Sequence, residues 1–181
     1  MKHLIIEGMD GSGKDTLIQE LMAYRGWPGE YKVHDRASTS LGGPVDSLAQ
    51  WVEDDMAFIG NGKNNWIYNR HPLISETIYG DYRGHRKPIA PAFADAAWWT
   101  HCARIVGMHS IVIWVHPPYA IVDKVLREQG LNAHMPGVYE NRLQIYTRYA
   151  LFQWPGESIR YDRTRDSVPA LINTINLKLE K

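Results

Sequence analysis

The chain contains one cysteine, Cys102, among its 181 residues. A single cysteine excludes an internal disulfide, which fits a reducing compartment such as the cytoplasm. The eight histidines and the cysteine lack the spacing of zinc ligands, so we predict no zinc site. Stability must therefore come from a hydrophobic core, and a chain of this length can bury about two-thirds of its unfolded surface.

Net charge is absent as well, because 20 basic residues balance 20 acidic ones. No overall field attracts DNA or an anionic membrane, so a nucleic-acid partner is disfavoured, although a local basic patch stays possible. The chain has no apolar run of about eighteen residues and begins with a predicted strand, so we expect neither a membrane span nor a targeting segment. It has no repeat or low-complexity tract. We expect one domain over residues 1–181.

What the chain does contain is an alternation of strands and helices. Short apolar runs rich in β-branched and aromatic residues predict strands at 3–7, 31–35, 65–69, 110–115 and 158–162. Helical periodicity predicts helices at 17–22, 45–58, 90–106, 119–128 and 139–152, and a last one from about Asp166. This order predicts an α/β fold with a five-stranded parallel sheet and helices on both faces. Ligands of such sheets bind beyond the carboxyl ends of the strands.

A phosphate-binding loop follows the first predicted strand. Gly8, Gly13 and Lys14 fit the pattern G-x-x-x-x-G-K, and a helix is predicted to start directly after it. Glycines let backbone N–H groups turn towards phosphate oxygens, while the helix start and the lysine add positive charge. We predict that a nucleoside triphosphate binds here.

The residue after the lysine departs from the pattern, because Asp15 stands where Ser or Thr usually contacts magnesium. Thr16, one position later, offers a hydroxyl. Asp15 is either a magnesium ligand, direct or through water, or only an acid at a helix start, where acids are favoured. The sequence leaves both interpretations open.

The segment 5–16, IIEGMDGSGKDT, resembles the start of thymidylate kinases and related nucleoside kinases, IEG-x-[DE]-G-x-GK-[ST]-T. Residues 67–80, IYNRHPLISETIYG, are similar to the D-R-[YH]-x-x-S-x-x-Y segment of that family. Further similar segments are 35–45, 111–128 and 161–175. The resemblance implies the P-loop NTPase fold, a short lid at about 127–142, ATP as the phosphate donor and Mg²⁺. The short chain and the sequence of residues 67–80 also resemble kinases encoded by bacteriophages. This would place the protein in the host cytoplasm.

The resemblance assigns roles around the acceptor. Arg70 and Arg36 would hold the acceptor phosphate, because a guanidinium grips phosphate in two places. Asp10 matches an acid near the acceptor sugar's 3′-hydroxyl. Glu7 matches the general base of nucleoside kinases, but a monophosphate acceptor needs no strong base, so Glu7 does not choose between the two activities.

A lid arginine is expected as well. Some members of the family carry Arg at the position of Gly11, and those with glycine there generally supply the positive charge from the lid. Arg127 and Arg142 are the catalytic candidates, with Lys124 nearby; solvated charges at helix ends are the alternative. Such a residue would close over the transferring phosphoryl group.

A second departure concerns the metal. The family usually has Asp where this chain has Asn69, so we hypothesise that the carboxylate has moved to Asp15; two unrelated changes are the alternative. The predicted metal ligands are Asp15, Thr16 and Asn69.

The remaining site residues are assigned either because they lie in the phosphate loop or because their side chains could contact a nucleotide. Flat aromatic faces and hydrogen-bonding groups could recognise the base and the acceptor. The predicted acceptor site comprises Arg36, Trp51, Arg70, Ser75, Tyr79 and Tyr82. The predicted ATP site comprises Gly8, Met9, Asp10, Gly11, Ser12, Gly13, Lys14, Asp15, Thr16 and Arg163.

The leading hypothesis is a deoxynucleoside monophosphate kinase that transfers the γ-phosphate of ATP to a pyrimidine deoxynucleotide, such as dTMP or a modified dUMP. The alternatives are a deoxynucleoside kinase acting on a 5′-hydroxyl, a kinase acting on a modified base in DNA, and a nucleotide-binding module without turnover. The resemblance also suggests a homodimer through the 90–106 helix.

Overall fold

The computed structural model describes residues 2–24, 31–34, 48–60, 65–82, 95–130 and 136–179. Its strands are β1 (His3–Glu7), β2 (Tyr31–His34), β3 (Asn65–Asn69), β4 (Ser110–Val115) and β5 (Glu157–Tyr161). Its α-helices are α1 (Lys14–Ala23), α2 (Leu48–Gly60), α3 (Pro72–Tyr79), α4 (Ala96–Met108), α5 (Tyr119–Glu128), α6 (Pro136–Glu140), α7 (Arg142–Leu151) and α8 (Val168–Leu179). A 3₁₀ turn, Gly80–Tyr82, follows α3.

The five strands form one sheet in the order β2-β3-β1-β4-β5, and every pairing is parallel. The predicted α/β fold with a five-stranded parallel sheet is therefore confirmed. β1 lies at the centre and all five of its residues are buried, as expected for a strand covered on both faces. The carboxyl ends of β1 and β3 lie side by side, with Ile6 paired to Asn69.

Helices cover both faces of the sheet, as predicted. Leu4 and Ile6 of β1 pack with α1 and α8, while Ile5 packs with the helices of the opposite face. Successive side chains of a strand point to opposite faces, so β1 contributes to both cores. The second face carries α2, α3, α4 and α7. None of the helices in the described ranges is long and apolar enough to cross a membrane.

Three helical segments differ from the prediction. α3 was not predicted; Pro72 occupies its first turn and the imidazole of His71 caps it by accepting from Leu73 N–H. α4 begins at Ala96 rather than at residue 90, because the Asp95 carboxylate caps it by accepting from Ala97 N–H and Trp98 N–H. Residues 90–94 lie outside the described part of the chain.

The third difference is in the expected lid. The short helix α6 lies in the second half of the expected lid. It is followed directly by α7, which begins at Arg142 rather than at residue 139. Residues 131–135 of the expected lid lie outside the described part.

Candidate active site

The loop between β1 and α1 has the geometry of a phosphate cradle. Gly8 and Gly13 adopt positive φ angles of 154° and 95°, which favour glycine. A Cβ atom on Gly8 would also overlap the carbonyl group of Val115. Lys14 lies at the start of α1 with its side chain buried, and its Nζ donates to the carbonyl of Met9 at 3.1 Å. The cationic head is thus folded back over the loop, next to the helix start that attracts anions.

Arg163, predicted to contact ATP, lies against this loop. Its Nη1 is 2.5 Å from the position that a Cβ atom of Gly13 would occupy. The turn after β5 places it there: the Asp162 carboxylate accepts from the N–H and hydroxyl of Thr164, and Asp166 accepts from Asp162 N–H. Side-chain bonds of this kind fix a turn, so the guanidinium is presented to one side of the loop.

Arg70 stands at the end of β3 beside the phosphate loop. Its Nη2 donates to Asp10 Oδ1 at 2.6 Å and to the hydroxyl of Tyr79 at 3.2 Å, and that hydroxyl donates to Asp10 Oδ2 at 3.1 Å. Burial lowers the pKa of Arg70, but the electrostatic effects of Asp10, Tyr79, Tyr149 and Glu7 together outweigh it and raise the pKa above the ordinary value. The structure therefore joins three residues assigned to the acceptor: Arg70, Tyr79 and Asp10.

Glu7 lies below this group and is fully buried. One carboxylate oxygen accepts from His71 N–H at 2.7 Å, and the other accepts from the Tyr149 hydroxyl at 3.2 Å. Burial raises the pKa of Glu7, against an opposing effect of the Arg70 charge. Both oxygens are thus engaged by the protein.

Asp15 and Asn69, the two departures from the family pattern, are in direct contact. Asn69 Nδ2 donates to Asp15 Oδ1 at 2.7 Å. Asn69 Oδ1 is buried and has no hydrogen-bond partner within the described residues. An orphaned amide oxygen beside a carboxylate matches the oxygen donors that Mg²⁺ takes, so these residues fit the ion that the fold implies. Thr16 lies exposed in the first turn of α1.

The two lid candidates share one carboxylate. Arg127 Nη2 lies 2.7 Å from Asp123, and Arg142 Nε donates to the same carboxylate at 2.5 Å. Arg142 also donates to Tyr139 O, and its hydrogen bond to Asp123 is the main reason that the pKa of Asp123 is lowered. The structure thus joins the lid candidates through Asp123 of α5, with Arg127 on α5 itself and Arg142 at the start of α7.

The base-recognition candidates are dispersed. The Ser75 hydroxyl donates to His71 O within α3, and Tyr82 stacks under Arg148. Trp51 on α2 packs edge-on against the His71 ring at 5.6 Å. Of the acceptor candidates, only Tyr79 and Arg70 are joined directly; Arg36 lies outside the described residues.

Sequence reasoning missed three residues that support the site. All three, His71, Asp55 and Tyr149, are buried: His71 N–H and the Tyr149 hydroxyl donate to Glu7, and the His71 ring contacts Asp55. His71 could have been noticed, because it follows Arg70 in the motif-like segment. The other two come from α2 and α7, and no spacing in the sequence signals their approach.

Neither the protein-family models nor the curated protein sequences contain a match to this chain. Solved structures do match. YorR protein from Bacillus subtilis, in complex with phosphorylated GDP, has a TM-score of 0.70 at 16% identity, with 99% of this chain and 96% of that one covered. Deoxyadenosine kinase from M. mycoides with bound dATP has a TM-score of 0.51 at 16% identity over the full length of both chains.

The chain has a P-loop kinase fold. Strand order, the loop after β1 and the coverage of both neighbours agree on this. Similarity at this identity establishes the fold alone, because one fold carries many functions. Activity must therefore be argued from the side chains of the site.

Proposed function

We propose that this protein is an ATP- and Mg²⁺-dependent kinase whose acceptor is a deoxynucleoside monophosphate. The observation that carries the proposal is the position of the Arg70 guanidinium, which lies against Asp10 of the phosphate loop. A donor phosphate in the loop and an acceptor phosphate on Arg70 would then be neighbours. Such placement, with charge neutralisation, supplies most of the catalysis of phosphoryl transfer.

The donor side is the loop of residues 8–16. Backbone N–H groups and Lys14 would hold the β- and γ-phosphates, and Arg163 would lie on the adenine side. Mg²⁺ bound to the donor would neutralise charge that develops on the phosphates. Asp15 and the free oxygen of Asn69 would hold it, with Thr16 as a further oxygen ligand.

On the acceptor side, the contacts of Glu7 support a monophosphate rather than a nucleoside as the acceptor. A general base must lie within hydrogen-bond reach of the hydroxyl that it activates. Glu7 is fully buried and its oxygens bind His71 N–H and the Tyr149 hydroxyl. These contacts favour a structural role for Glu7. A monophosphate oxygen is already anionic and attacks the γ-phosphorus without such a base, releasing ADP.

The identity of the base rests on the resemblance to thymidylate kinases, from which we propose a pyrimidine such as that of dTMP or a modified dUMP. The deoxyadenosine kinase among the structural neighbours keeps the nucleoside-kinase alternative in the test. A lid role for Arg127 or Arg142 would require one of them to leave Asp123 when nucleotides bind. Bacteriophage origin, the host cytoplasm and a homodimer through α4 belong to the same proposal.

The test is an acceptor panel with ATP and Mg²⁺: the four deoxynucleoside monophosphates, dUMP, the matching nucleosides, and duplex and single-stranded DNA. Diphosphate formation from a monophosphate supports the proposal; products only from nucleosides or DNA contradict it. Lys14→Ala is the control, because it removes the charge on the donor phosphates while leaving the loop's backbone. It should lose most turnover. Full activity of folded Lys14→Ala would place the donor elsewhere.

A further inference from the structure

Arg70 has an unusual backbone conformation for a non-glycine residue. Its φ angle is 73°, the sole positive φ of a non-glycine residue in the described ranges. Left-handed conformations of this kind are strained and persist only where the surroundings enforce them. In this conformation the side chain extends from the end of β3 to Asp10. What enforces this conformation therefore controls where the guanidinium lies.

Hydrogen bonds on either side of Arg70 supply the constraint. Arg70 N–H donates to Ile6 O at 3.0 Å, and the next N–H, that of His71, donates to Glu7 at 2.7 Å. Both acceptors belong to β1. The main chain is therefore fixed to the central strand directly before and directly after the strained residue.

The His71 side chain anchors the following helix. Its Nδ1 accepts from Leu73 N–H at 3.2 Å, and its Nε2 lies 3.2 Å from Asp55 Oδ2 on α2. Since Nδ1 is an acceptor, the proton of the neutral ring must sit on Nε2 and point at Asp55. The Tyr68 hydroxyl donates to the other Asp55 oxygen at 2.7 Å, so the carboxylate is held from two elements.

We infer that Asp55 and His71 are positioning residues of the kinase reaction: Asp55, together with Leu73 N–H, fixes the orientation and tautomer of the His71 ring, and His71 in turn fixes the backbone that presents Arg70 to the acceptor phosphate. Both side chains are buried, and the hydrogen bonds described for them join α2, β3 and α3. This inference rests on the proposed function only in assigning Arg70 to the acceptor. A carboxylate that orients a histidine ring in this way sets which nitrogen carries the proton.

A matched control lies next to Asp55. Asp54 is on the same helix and carries the same carboxylate, but it is exposed and accepts only from Gln50 one turn earlier, among the contacts described for it. Asp54→Ala removes one acidic residue from α2 without touching β3 or α3. Any effect of charge or helix propensity is shared by the two variants, whereas loss of the His71 contact belongs to Asp55→Ala alone.

The experiment compares steady-state kinetics of wild type, Asp55→Ala and Asp54→Ala with the acceptor found by the panel. Misplacement by about 1 Å costs up to about a hundredfold in rate, so kcat/KM for the acceptor should fall by about ten- to a hundredfold in Asp55→Ala. The KM for ATP should stay within about twofold, and Asp54→Ala should match wild type in both. Should Asp55→Ala fail to fold, Asp55→Asn replaces it, since its amide oxygen can still accept from His71; it should give a smaller loss in the same direction.

Two results overturn the inference. One is a variant with a lower Tm but unchanged acceptor kinetics in its folded form, which is what a purely structural role predicts. The other comes from ¹⁵N NMR of wild type: His71 should show the Nε2–H tautomer, and an Nδ1–H ring contradicts the network whatever the activity. If the panel finds no acceptor at all, the proposed function fails. A comparison of the His71 tautomer in wild type and in Asp55→Ala then still decides whether Asp55 orients His71.

Discussion

Arg70 combines burial, a full positive charge and contact with a single loop carboxylate. An acceptor phosphate would take the place of Asp10 as its partner. Arg70→Ala should therefore reduce kcat/KM for the acceptor by about a hundredfold or more while leaving ATP affinity nearly unchanged. Arg70→Lys keeps the charge without the fork and should recover only part of the loss. Steady-state kinetics and calorimetric titration with ATP measure the two effects.

The exposed Arg104 on α4 supplies the control, because Arg104→Ala removes one cation to which no role in the site is assigned. If ATP affinity collapses in Arg70→Ala while acceptor saturation is unchanged, the clamp has been assigned to the wrong nucleotide.

Asn69 Nδ2 donates to Asp15 Oδ1 at 2.7 Å, and we expect the two residues to be energetically coupled through the metal. Asp15→Thr restores the common motif but leaves no carboxylate beside the ion, so activity should fall and the Mg²⁺ requirement should rise. Adding Asn69→Asp should recover much of the loss, whereas Asn69→Asp alone places two carboxylates together. A double-mutant cycle in Mg²⁺-dependent turnover, with Mn²⁺ binding to the ATP complex as a second readout, measures the coupling.

Simple additivity of the two substitutions in that cycle would show that the carboxylate has not been relocated. Asp15 would then serve only as an acid at the start of α1, and Thr16 or water would hold the ion.

The buried Glu7 should leave a signature in the pH dependence of stability. Burial raises its pKa in the folded protein above the ordinary value of about 4.3. Between these two values the folded state binds more protons than the unfolded state, so this group makes the free energy of unfolding fall as pH rises. Below the ordinary value both states are protonated, so Glu7 no longer makes the free energy of unfolding depend on pH.

Glu7→Gln removes this titration. The free energy of unfolding of the variant minus that of wild type should increase from pH 4 to pH 8, as measured by urea denaturation at several pH values. A difference that stays constant over this range would mean that Glu7 titrates normally in the folded protein.

At the scale of elements, the strands were predictable and α3 was not. All five strands lie within one residue of their predicted bounds, because each is a short apolar run between turn residues. Seven of the eight residues of α3 are buried. A helix enclosed on nearly all sides has no polar face, so it lacks the alternation at helical spacing by which the other helices were found.

The candidate site, too, was predictable only in part. The phosphate loop and Arg70 follow from motifs, because they need particular residues at fixed spacings beside a strand. The contact of Tyr149 with Glu7 joins residues 142 positions apart, and that of Asp10 with Arg70 joins residues 60 apart. Only the packing of α7 and β3 around β1 creates these contacts, and no local pattern encodes them.

The junction before β5 provides a prediction about element packing. A Cβ atom on Gly156 would lie 2.6 Å from Cα and 2.8 Å from the carbonyl carbon of Gly107 in α4. Both contacts are with backbone, which cannot move aside as a side chain can. Gly156→Ala should therefore lower the free energy of unfolding by about 1–3 kcal/mol. The exposed Ser158 of β5 offers a control, since Ser158→Ala should change it by no more than about 0.5 kcal/mol.

Thermal and urea denaturation of the two variants check this. Equal stability of Gly156→Ala and wild type would mean that α4 and the start of β5 are less closely packed than described.

At the scale of the whole molecule, the order of the strands explains why one end of the sheet carries the chemistry. β1 and β3 are neighbours in the sheet although 57 residues separate the end of one from the start of the other, from Glu7 to Asn65. Their carboxyl ends bring Glu7, Asn69 and Arg70 beside the loop that leads to α1. The homodimer stays a prediction; light scattering after size-exclusion chromatography would distinguish 20.8 kDa from twice that mass.

The central claim is that the acceptor is a monophosphate and that Glu7 is not its base. The most direct test is the ratio of kcat/KM for dTMP to that for thymidine, measured in wild type and in Glu7→Gln with the same ATP and Mg²⁺. We predict a ratio of at least about a hundred in wild type and turnover on dTMP within about tenfold in the variant. A ratio below one, with turnover on thymidine abolished by Glu7→Gln, would contradict the account and make the protein a nucleoside kinase.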